Sequence, residues 1–413
     1  MQVSRYMGWL CALAALVAAP GAGATGAQAR PADLEIRLSQ SGYIIAQEVR
    51  RPGDGYNGAA GYYDLILHNL AVINVGSSPV TIDRISLDLS RHGRLLERSV
   101  VNPSEVQVAL ATYAEYAKLH FPVALNALFA ADTILPPGVA VSGSATSLAP
   151  HTAIIATQNF MLSRGVPDRM TVVALGHSAS GPISAQASLP VVARLTANRY
   201  LFPVEPGAWY VTGLPSVQGH HRFTQATEFA LDITRVDAQG RWFKHKGRHW
   251  TDWYAYGANV LAAADGVVVA VESHSDIDPQ IWRPRDGETA RAYQKRLDEH
   301  QLERFLKPGA DPAEVSGGNY VIIKHANGEY SHYAHLAFGS VRVKVGEHVR
   351  QGQVIARVGG TGEAPEVHLH FEVTDSMDTR HFAFHSLPVD FINVSRPKNA
   401  RQTDEPAVFV TAH

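Results

Sequence analysis

Two histidines separated by one leucine, His368 and His370, lie in an alternating apolar run. In a β-strand, residues i and i+2 point to the same face. The two imidazoles therefore project side by side, while Val367, Leu369 and Phe371 face the other way and can enter a core. Such a pair can bind a metal ion or transfer protons near neutral pH. Because the pattern is short, two surface histidines on a half-exposed strand are the alternative.

An aspartate inside another apolar run is the second candidate. Asp232 lies in Phe229-Ala-Leu-Asp-Ile, a pattern that predicts a buried strand. A buried carboxylate is costly unless it pairs with a cation or binds a metal, so a salt bridge to an arginine or a turn cap is the alternative to metal binding. Two adjacent histidines, His220 and His221, precede it. Histidine and aspartate are the ligand types of catalytic zinc sites, which use about three protein ligands.

Three more histidines lie between these groups. His325 ends the apolar segment Tyr320–His325 just before the turn at Asn327-Gly328, and we interpret it as structural. His332 and His335 lie in Tyr330-Ser-His-Tyr-Ala-His. Residues three apart do not share a face of a regular strand, so His332 is expected behind or beside the site, or in solvent.

The elements that must position these residues are mostly strands. Residues 31–195 show short alternating runs separated by Gly, Pro, Ser and Asn clusters, which indicates an antiparallel β-sandwich, and the patterning resembles immunoglobulin-like accessory domains. A helix over 103–119 interrupts it. Residues 205–395 are again Gly-punctuated short runs, including 340–345, and predict a second all-β domain. Residues 396–413 are expected to form a C-terminal tail.

Two segments of the second domain depart from the short-strand pattern. Residues 286–306 have a rough helical period among many charges and predict a helical insertion, either a solvated element or a lid. Residues 234–256 carry Trp242, Trp250 and Trp253, which either pack within their own loop or form an extra wall of a groove.

Composition restricts the compartment and the partners. The 413 residues carry a net charge of −2 and 18% charged side chains, which does not support nucleic-acid binding. Residues 1–29 have the basic start, short apolar stretch and small-residue end of a signal peptide, so we expect an exported protein without a stable membrane span after cleavage. The single cysteine, Cys11, lies in that segment, which excludes a catalytic cysteine from the mature chain.

The ordered blocks of the second half resemble the lysostaphin-type zinc metallopeptidases. The similarity runs from about Gly219 to Thr374. It is carried by an upstream histidine before Ala-Leu-Asp232-Ile, and by the blocks Asp265-Gly-Val-Val, Gly318-Asn-Tyr-Val-Ile-Ile-Lys-His, Tyr333-Ala-His-Leu, Gly359-Gly-Thr-Gly and His368-Leu-His-Phe-Glu. The resemblance implies an all-β catalytic domain and one Zn²⁺ per chain.

The family pattern also implies a role for each residue. His221, Asp232 and His370 would bind zinc, with His220 as the alternative to His221, because Asp232 follows His221 by eleven positions and the family gap is often shorter. His335 and His368 would be the catalytic histidines: His368 would move a proton and His335 would hydrogen-bond the oxyanion, although the sequence leaves open which does which.

The function implied is hydrolysis of peptidoglycan stem or cross-bridge peptides in a bacterial periplasm or outside the cell. The N-terminal domain would contact cell wall or protein. Two alternatives stay open. One is a non-catalytic regulator of cell-wall hydrolases, although such relatives typically lack several of the five residues and all five are present here. The other is a secreted protease that acts on Gly-rich proteins.

Overall fold

The computed structural model describes residues 33–48, 61–193, 196–212, 220–310, 312–377, 384–395 and 408–413. The expected signal peptide, residues 1–29, lies outside them. The protein is mainly β, as the sequence predicts. Among the described residues, every helix is too short or too polar to cross a membrane.

The N-terminal half forms two sheets that share one hydrophobic cluster, and we call it the sandwich. The order of one sheet is β1-β4-β9-β7 with β3 on β4, and of the other β2-β11-β10-β5-β6 with β8 on β5. The elements are β1 (Leu34–Leu38), β2 (Ile44–Ile45), β3 (Gln47–Glu48), β4 (Tyr62–Asn74), β5 (Val80–Arg91), β6 (Arg94–Val100), α1 (Pro103–Lys118), α2 (Pro122–Phe129), α3 (Ala131–Ile134), β7 (Ala140–Val141), β8 (Ser147–Leu148), β9 (Thr152–Arg164), β10 (Arg169–Ser178) and β11 (Gly181–Val192).

The C-terminal half is built around a nine-stranded sheet with the order β18-β15-β16-β17-β20-β13-β12-β22-β21, and β14 pairs with β19. Its elements are β12 (Gly207–Thr212), β13 (Leu231–Thr234), β14 (Asn259–Leu261), β15 (Gly266–Glu272), α4 (Ala290–Leu306), α5 (Pro312–Gly317), β16 (Asn319–Lys324), β17 (Tyr330–Leu336), β18 (His348–Val349), β19 (Val354–Arg357), β20 (Leu369–Thr374), β21 (Val394–Ser395) and β22 (Val408–Ala412). Leu369, Phe371 and Val373 of β20 enter the core, as alternation predicts.

Local chemistry explains where the two long helices begin. Asn102 caps α1, since its Oδ1 accepts from the backbone N–H of Ser104 at 3.0 Å, and Pro103 supplies the first helical residue. Thr289 caps α4 by accepting from the N–H of Ala292 at 3.2 Å. The helices expected over 103–119 and 286–306 are therefore present with slightly shorter bounds.

Two segments differ from the sequence prediction. Residues 340–345 are not a strand; their backbone is irregular between β17 and β18. Residues 408–412, predicted to lie in the tail, form β22 and pair with β12 inside the large sheet. Residues 396–407 of that tail lie outside the described residues.

The two halves pack against each other at several places. Ile45 of β2 belongs to the hydrophobic cluster of the C-terminal half. The hydroxyl of Tyr43 donates to Oδ2 of Asp375 at 2.6 Å. Phe121, which precedes α2, packs against Phe305 of α4 with ring centroids 5.8 Å apart. The inserted helix therefore rests on the sandwich.

Candidate metal centre

Asp232 and His370 are brought together by the pairing of their strands. They are Cα partners on β13 and β20, and Asp232 Oδ1 lies 3.2 Å from His370 Nδ1. His221 comes from a short 3₁₀ helix, His220–Phe223. Its Nε2 lies 3.0 Å from Asp232 Oδ2. One nitrogen from each histidine and one oxygen of Asp232 all lie within 4.8 Å of one another.

This donor set fits a metal ion. Donor atoms about 2.0–2.2 Å from one tetrahedral centre are about 3.3–3.6 Å apart. The distances of 3.0 and 3.2 Å run to the two different oxygens of Asp232, and with one donor atom from each residue all three lie within 4.8 Å of one another, close enough for one ion after small adjustments. Two imidazoles and one carboxylate leave a divalent cation with net positive charge. His221, Asp232 and His370 could therefore hold one cation together.

The structure does not describe the side chain of His220. The assignment of His221 as the upstream ligand rests on the 3.0 Å distance between its Nε2 and Asp232 Oδ2.

His368 and His335 lie beside this cluster. His368 Nε2 is 3.3 Å from Asp232 Oδ1, and the rings of His335 and His368 have centroids 4.7 Å apart. In each residue Nδ1 faces a backbone carbonyl: that of Glu366 at 2.9 Å for His368 and that of Thr361 at 2.8 Å for His335. A carbonyl only accepts, so Nδ1 carries the proton in both. Nε2 is then the nitrogen that can exchange protons.

The environments separate the two imidazoles. Burial, and then the neighbouring imidazoles of His368 and His370, hold the pKa of His335 well below its ordinary value. Burial would also lower the pKa of His368, but the adjacent Asp232 carboxylate, together with Glu366, outweighs burial and raises that pKa. A cation on Asp232 would offset this effect. Without one, His335 is neutral and His368 is the better proton carrier.

The backbone around His335 is tightly constrained. His335 has φ of 60°, in the left-handed region that residues with side chains rarely adopt. The hydroxyl of Thr361 donates to the carbonyl of Leu336 at 2.8 Å and accepts from the N–H of Asn319 at 2.9 Å. Gly318 has φ of +65°, and a Cβ there would lie 2.3 Å from the carbonyl carbon of Thr361. Asn319 and Thr361 thus support the carbonyl that His335 contacts.

The sequence motifs Gly318-Asn and Gly359-Gly-Thr-Gly indicated the family but did not predict that their residues position the carbonyl that His335 contacts. Their glycines and hydrogen-bonding side chains were the available signal, but the close contact between the two blocks depends on tertiary structure.

The remaining histidines of the strands lie near the site without joining the ligand cluster. His325 Nδ1 faces the carbonyl of Asp265 at 2.8 Å and its Nε2 faces Ser331 Oγ at 2.8 Å, which agrees with a structural role. His332 is half-buried, and its Nε2 lies 3.0 Å from Thr374 Oγ1. Burial, with smaller effects from His370 and His325, lowers its pKa to about 3.

The site is enclosed. His221, Asp232, His335, His368 and His370 are each at most 5% exposed. The segment 234–256 lies nearby, because a Cβ at Gly360 would approach Trp250 to 2.8 Å. Trp253 packs on Phe243, with centroids 4.9 Å apart, so packing within the loop and contact beside the site occur together. From α4, Arg304 Nη1 donates to Glu363 Oε1 at 3.0 Å.

Comparison with known proteins gives a family match over part of the chain. Residues 309–381 match Peptidase family M23. That range includes His335, His368 and His370, whereas His221 and Asp232 lie upstream of it.

Curated relatives match over a similarly limited length. The peptidoglycan DD-endopeptidase ShyC of Vibrio cholerae is 49% identical over 111 residues, covering 24% of this chain and 23% of that protein. ShyA, a peptidoglycan DD-endopeptidase of the same organism, is 35% identical over 112 residues, covering 24% of each. The cell division protein DipM of Caulobacter vibrioides is 46% identical over 56 residues, covering 14% of this chain and 9% of that protein. The matched segment thus spans about a quarter or less of these relatives.

Solved structures match weakly. The catalytic domain of lysostaphin from Staphylococcus simulans is 18% identical, with a TM-score of 0.22 over 43% of this chain and 84% of that one. The M23 metalloprotease pseudoalterin is 13% identical, with a TM-score of 0.25 over 50% of this chain and 82% of that one.

Proposed function

Because residues 309–381 match Peptidase family M23, we propose that this chain is an exported bacterial zinc endopeptidase that hydrolyses peptidoglycan stem or cross-bridge peptides. The observation that carries the proposal is the convergence of His221, Asp232 and His370 within 4.8 Å, with two more imidazoles beside them. The names of the relatives, peptidoglycan DD-endopeptidases, support the substrate class. The basic and apolar start of the sequence supports export.

Three residues hold the metal in this proposal, His221, Asp232 and His370. When bound, zinc supplies a Lewis acid that polarises a carbonyl group and lowers the pKa of water. The remaining chemistry is proton transfer by the chain's own imidazoles.

His335 acts as the base. Its Nδ1 donates to the carbonyl of Thr361, so the neutral ring presents the Nε2 lone pair and can take a proton from water as the water oxygen attacks the peptide carbon. An oxyanion needs a donor, which a neutral ring with this Nδ1 contact does not offer at Nε2. The contact therefore favours the base role for His335 over the oxyanion role suggested by the resemblance.

His368 acts as the acid. Its Nδ1 donates to the carbonyl of Glu366, so the protonated ring presents Nε2–H, which can give the proton to the amine nitrogen when the C–N bond breaks. Proton return from His335 to His368 by way of solvent closes the cycle. The five side chains are each at most 5% exposed, so little of the cluster is open to a peptide in this structure.

The test is digestion of purified peptidoglycan of known cross-link type with the zinc-loaded chain and with His368→Ala. We expect the wild type to release un-cross-linked muropeptides, each cut adding one water and one free amine, as identified by mass spectrometry. His368→Ala should release far less. Absence of cleavage by wild type that carries stoichiometric zinc would contradict the endopeptidase assignment.

Enclosure of the site favours a second candidate, a regulator of other wall hydrolases. The two functions differ in one readout. If the chain is a regulator, its His368→Ala variant should still stimulate a second hydrolase. If it is an endopeptidase, the same variant should lose its effect on peptidoglycan.

A further inference from the structure

His221 differs from the other two ligand residues in how it is held. Asp232 and His370 are fixed by the pairing of β13 with β20. His221 lies outside the sheet, in a single 3₁₀ turn where the N–H of Thr224 donates to its carbonyl at 3.1 Å. One short turn restricts the chain weakly compared with a strand inside a sheet. Its position therefore depends on the contacts of neighbouring residues.

Arg222, the next residue, makes those contacts. Its side chain is fully buried, and Nη1 donates to Glu228 Oε1 at 2.6 Å while Nη2 donates to Asp64 Oδ1 at 3.0 Å. The guanidinium lies over the Phe229 ring, 5.1 Å from its centroid. Asp64 belongs to β4 of the sandwich. One buried side chain thus connects the turn of His221 to the other half of the protein.

A second buried contact strengthens this connection. Glu228 Oε2 lies 3.2 Å from Nε2 of His68, which is also on β4. The side chains of Asp64, His68, Arg222 and Glu228 are at most 10% exposed. A buried guanidinium needs its partners in good geometry, because leaving one charge unpaired is costly. The network therefore favours one position of Arg222 relative to β4.

We propose that Arg222 is a positioning residue whose ion pair with Asp64 holds His221 against Asp232, so that the sandwich takes part in building the zinc site. This inference rests on the proposed function. Arg222 and His221 share a peptide bond, and their Cα atoms are about 3.8 Å apart, so anchoring of the buried guanidinium restricts where the turn that carries His221 can lie. Changes in the residues that orient metal ligands typically weaken metal affinity by about 10- to 100-fold.

The test compares zinc affinity in three full-length variants by competition with a chromophoric chelator. Asp64→Asn keeps the size of the side chain and removes its charge. Arg222→Lys keeps the charge but replaces the planar group that bridges two carboxylates. Tyr43→Phe is the matched control, because it removes another hydrogen bond between the halves, the one to Asp375, away from the turn of His221.

We expect Asp64→Asn and Arg222→Lys to bind zinc about tenfold or more weakly, and Tyr43→Phe to bind like the wild type. The absorption spectrum of the Co²⁺-substituted protein should change in the first two variants and stay constant in the third. Asp64→Glu, which restores the carboxylate, should recover part of the affinity. Circular dichroism checks that each variant is folded, and Asp64→Asn serves if Arg222→Lys does not fold.

Four results would overturn the inference. Wild-type affinity in both Asp64→Asn and Arg222→Lys would remove the positioning role while leaving the peptidase proposal intact. Equal weakening in Tyr43→Phe would assign the effect to general packing of the halves. Higher hydrolysis with unchanged zinc affinity in Asp64→Asn would show that the ion pair restricts access instead. A wild type that binds no zinc would instead overturn the proposed function, and this inference with it.

Discussion

Asp232 Oδ1 and His370 Nδ1 face each other at 3.2 Å across two neighbouring antiparallel strands. Both side chains are buried, and the same carboxylate reaches His221 through its other oxygen. A carboxylate that faces two imidazoles in this way can hold a cation together with them.

Removal of any one ligand should therefore prevent tight zinc binding. We expect His370→Ala, Asp232→Asn and His221→Ala to lose stoichiometric zinc after dialysis, as measured by atomic absorption. His220→Ala should keep it. If His220→Ala lost zinc and His221→Ala kept it, the assignment of the upstream ligand would be reversed.

The two proton-handling histidines should behave in the opposite way. His335→Ala and His368→Ala are expected to retain one zinc but to lose turnover by about 10²- to 10⁴-fold, since each removes a proton-transfer group. The measurement is kcat on isolated cross-linked muropeptides, with bound zinc determined on the same samples. Full turnover in either variant would remove that residue from the mechanism.

Gly318→Ala tests whether the position of the Thr361 carbonyl, which accepts from His335 Nδ1, matters for catalysis. Alanine at φ of +65° is strained by about 1–2 kcal/mol, and its Cβ would lie 2.3 Å from the Thr361 carbonyl carbon, so the Thr361 loop must move. Displacement of the acceptor of His335 by about 1 Å should lower kcat by about 10²-fold with zinc retained.

Gly328→Ala is the matched control for that substitution. Gly328 also has positive φ, +86°, but a Cβ there meets no atom within 4 Å. It should lose some stability and keep kcat. Similar kcat values for the two variants would show that the Gly318 contact does not affect catalysis.

Glu363 should give the protein a measurable pH dependence of stability. Burial, opposed in part by Arg304, raises its pKa from 4.5 to about 7. The folded state thus favours the protonated carboxyl, and the stability it contributes is complete below 4.5 and is lost as the pH rises through about 7. Glu363→Gln mimics the protonated form and should remove this dependence.

The measurement is the free energy of urea unfolding of wild type and Glu363→Gln at several pH values. At about pH 4 the two should agree, and at about pH 8 the variant should be more stable by about 3 kcal/mol. A difference that grew toward acid pH would contradict the predicted sign.

Periodicity and motif order predicted much of this molecule. Alternation placed Leu369 and Phe371 in the core, as the structure has them. It turned His368 and His370 to the other face, where they lie 3.3 and 3.2 Å from Asp232 Oδ1. Alternation failed at 340–345, where apolar residues at two-residue spacing lie in irregular backbone. Local pattern does not supply strand partners, and residues 340–345 have none in the large sheet.

Long-range contacts were beyond sequence reasoning for a different reason. Asp64 and Arg222 are 158 residues apart, and neither lies in a pattern that names the other. The positive φ of His335 was likewise hidden, because it arises from the packing of the Thr361 and Gly318 segments, whereas local propensity disfavours it.

The ligands also differ in how far the chain must loop back to bring them together. His221 and Asp232 are eleven residues apart, and Asp232 and His370 are 138 apart. The length-dependent entropic cost of closing the loop, as free energy, is about 2 kcal/mol for the first pair and about 4 kcal/mol for the second. The first two ligands can therefore meet early in folding, whereas the third arrives only when β20 docks on β13. Tight metal binding would then stabilise that last strand-pairing step, so zinc would raise the free energy of unfolding of the completed sheet.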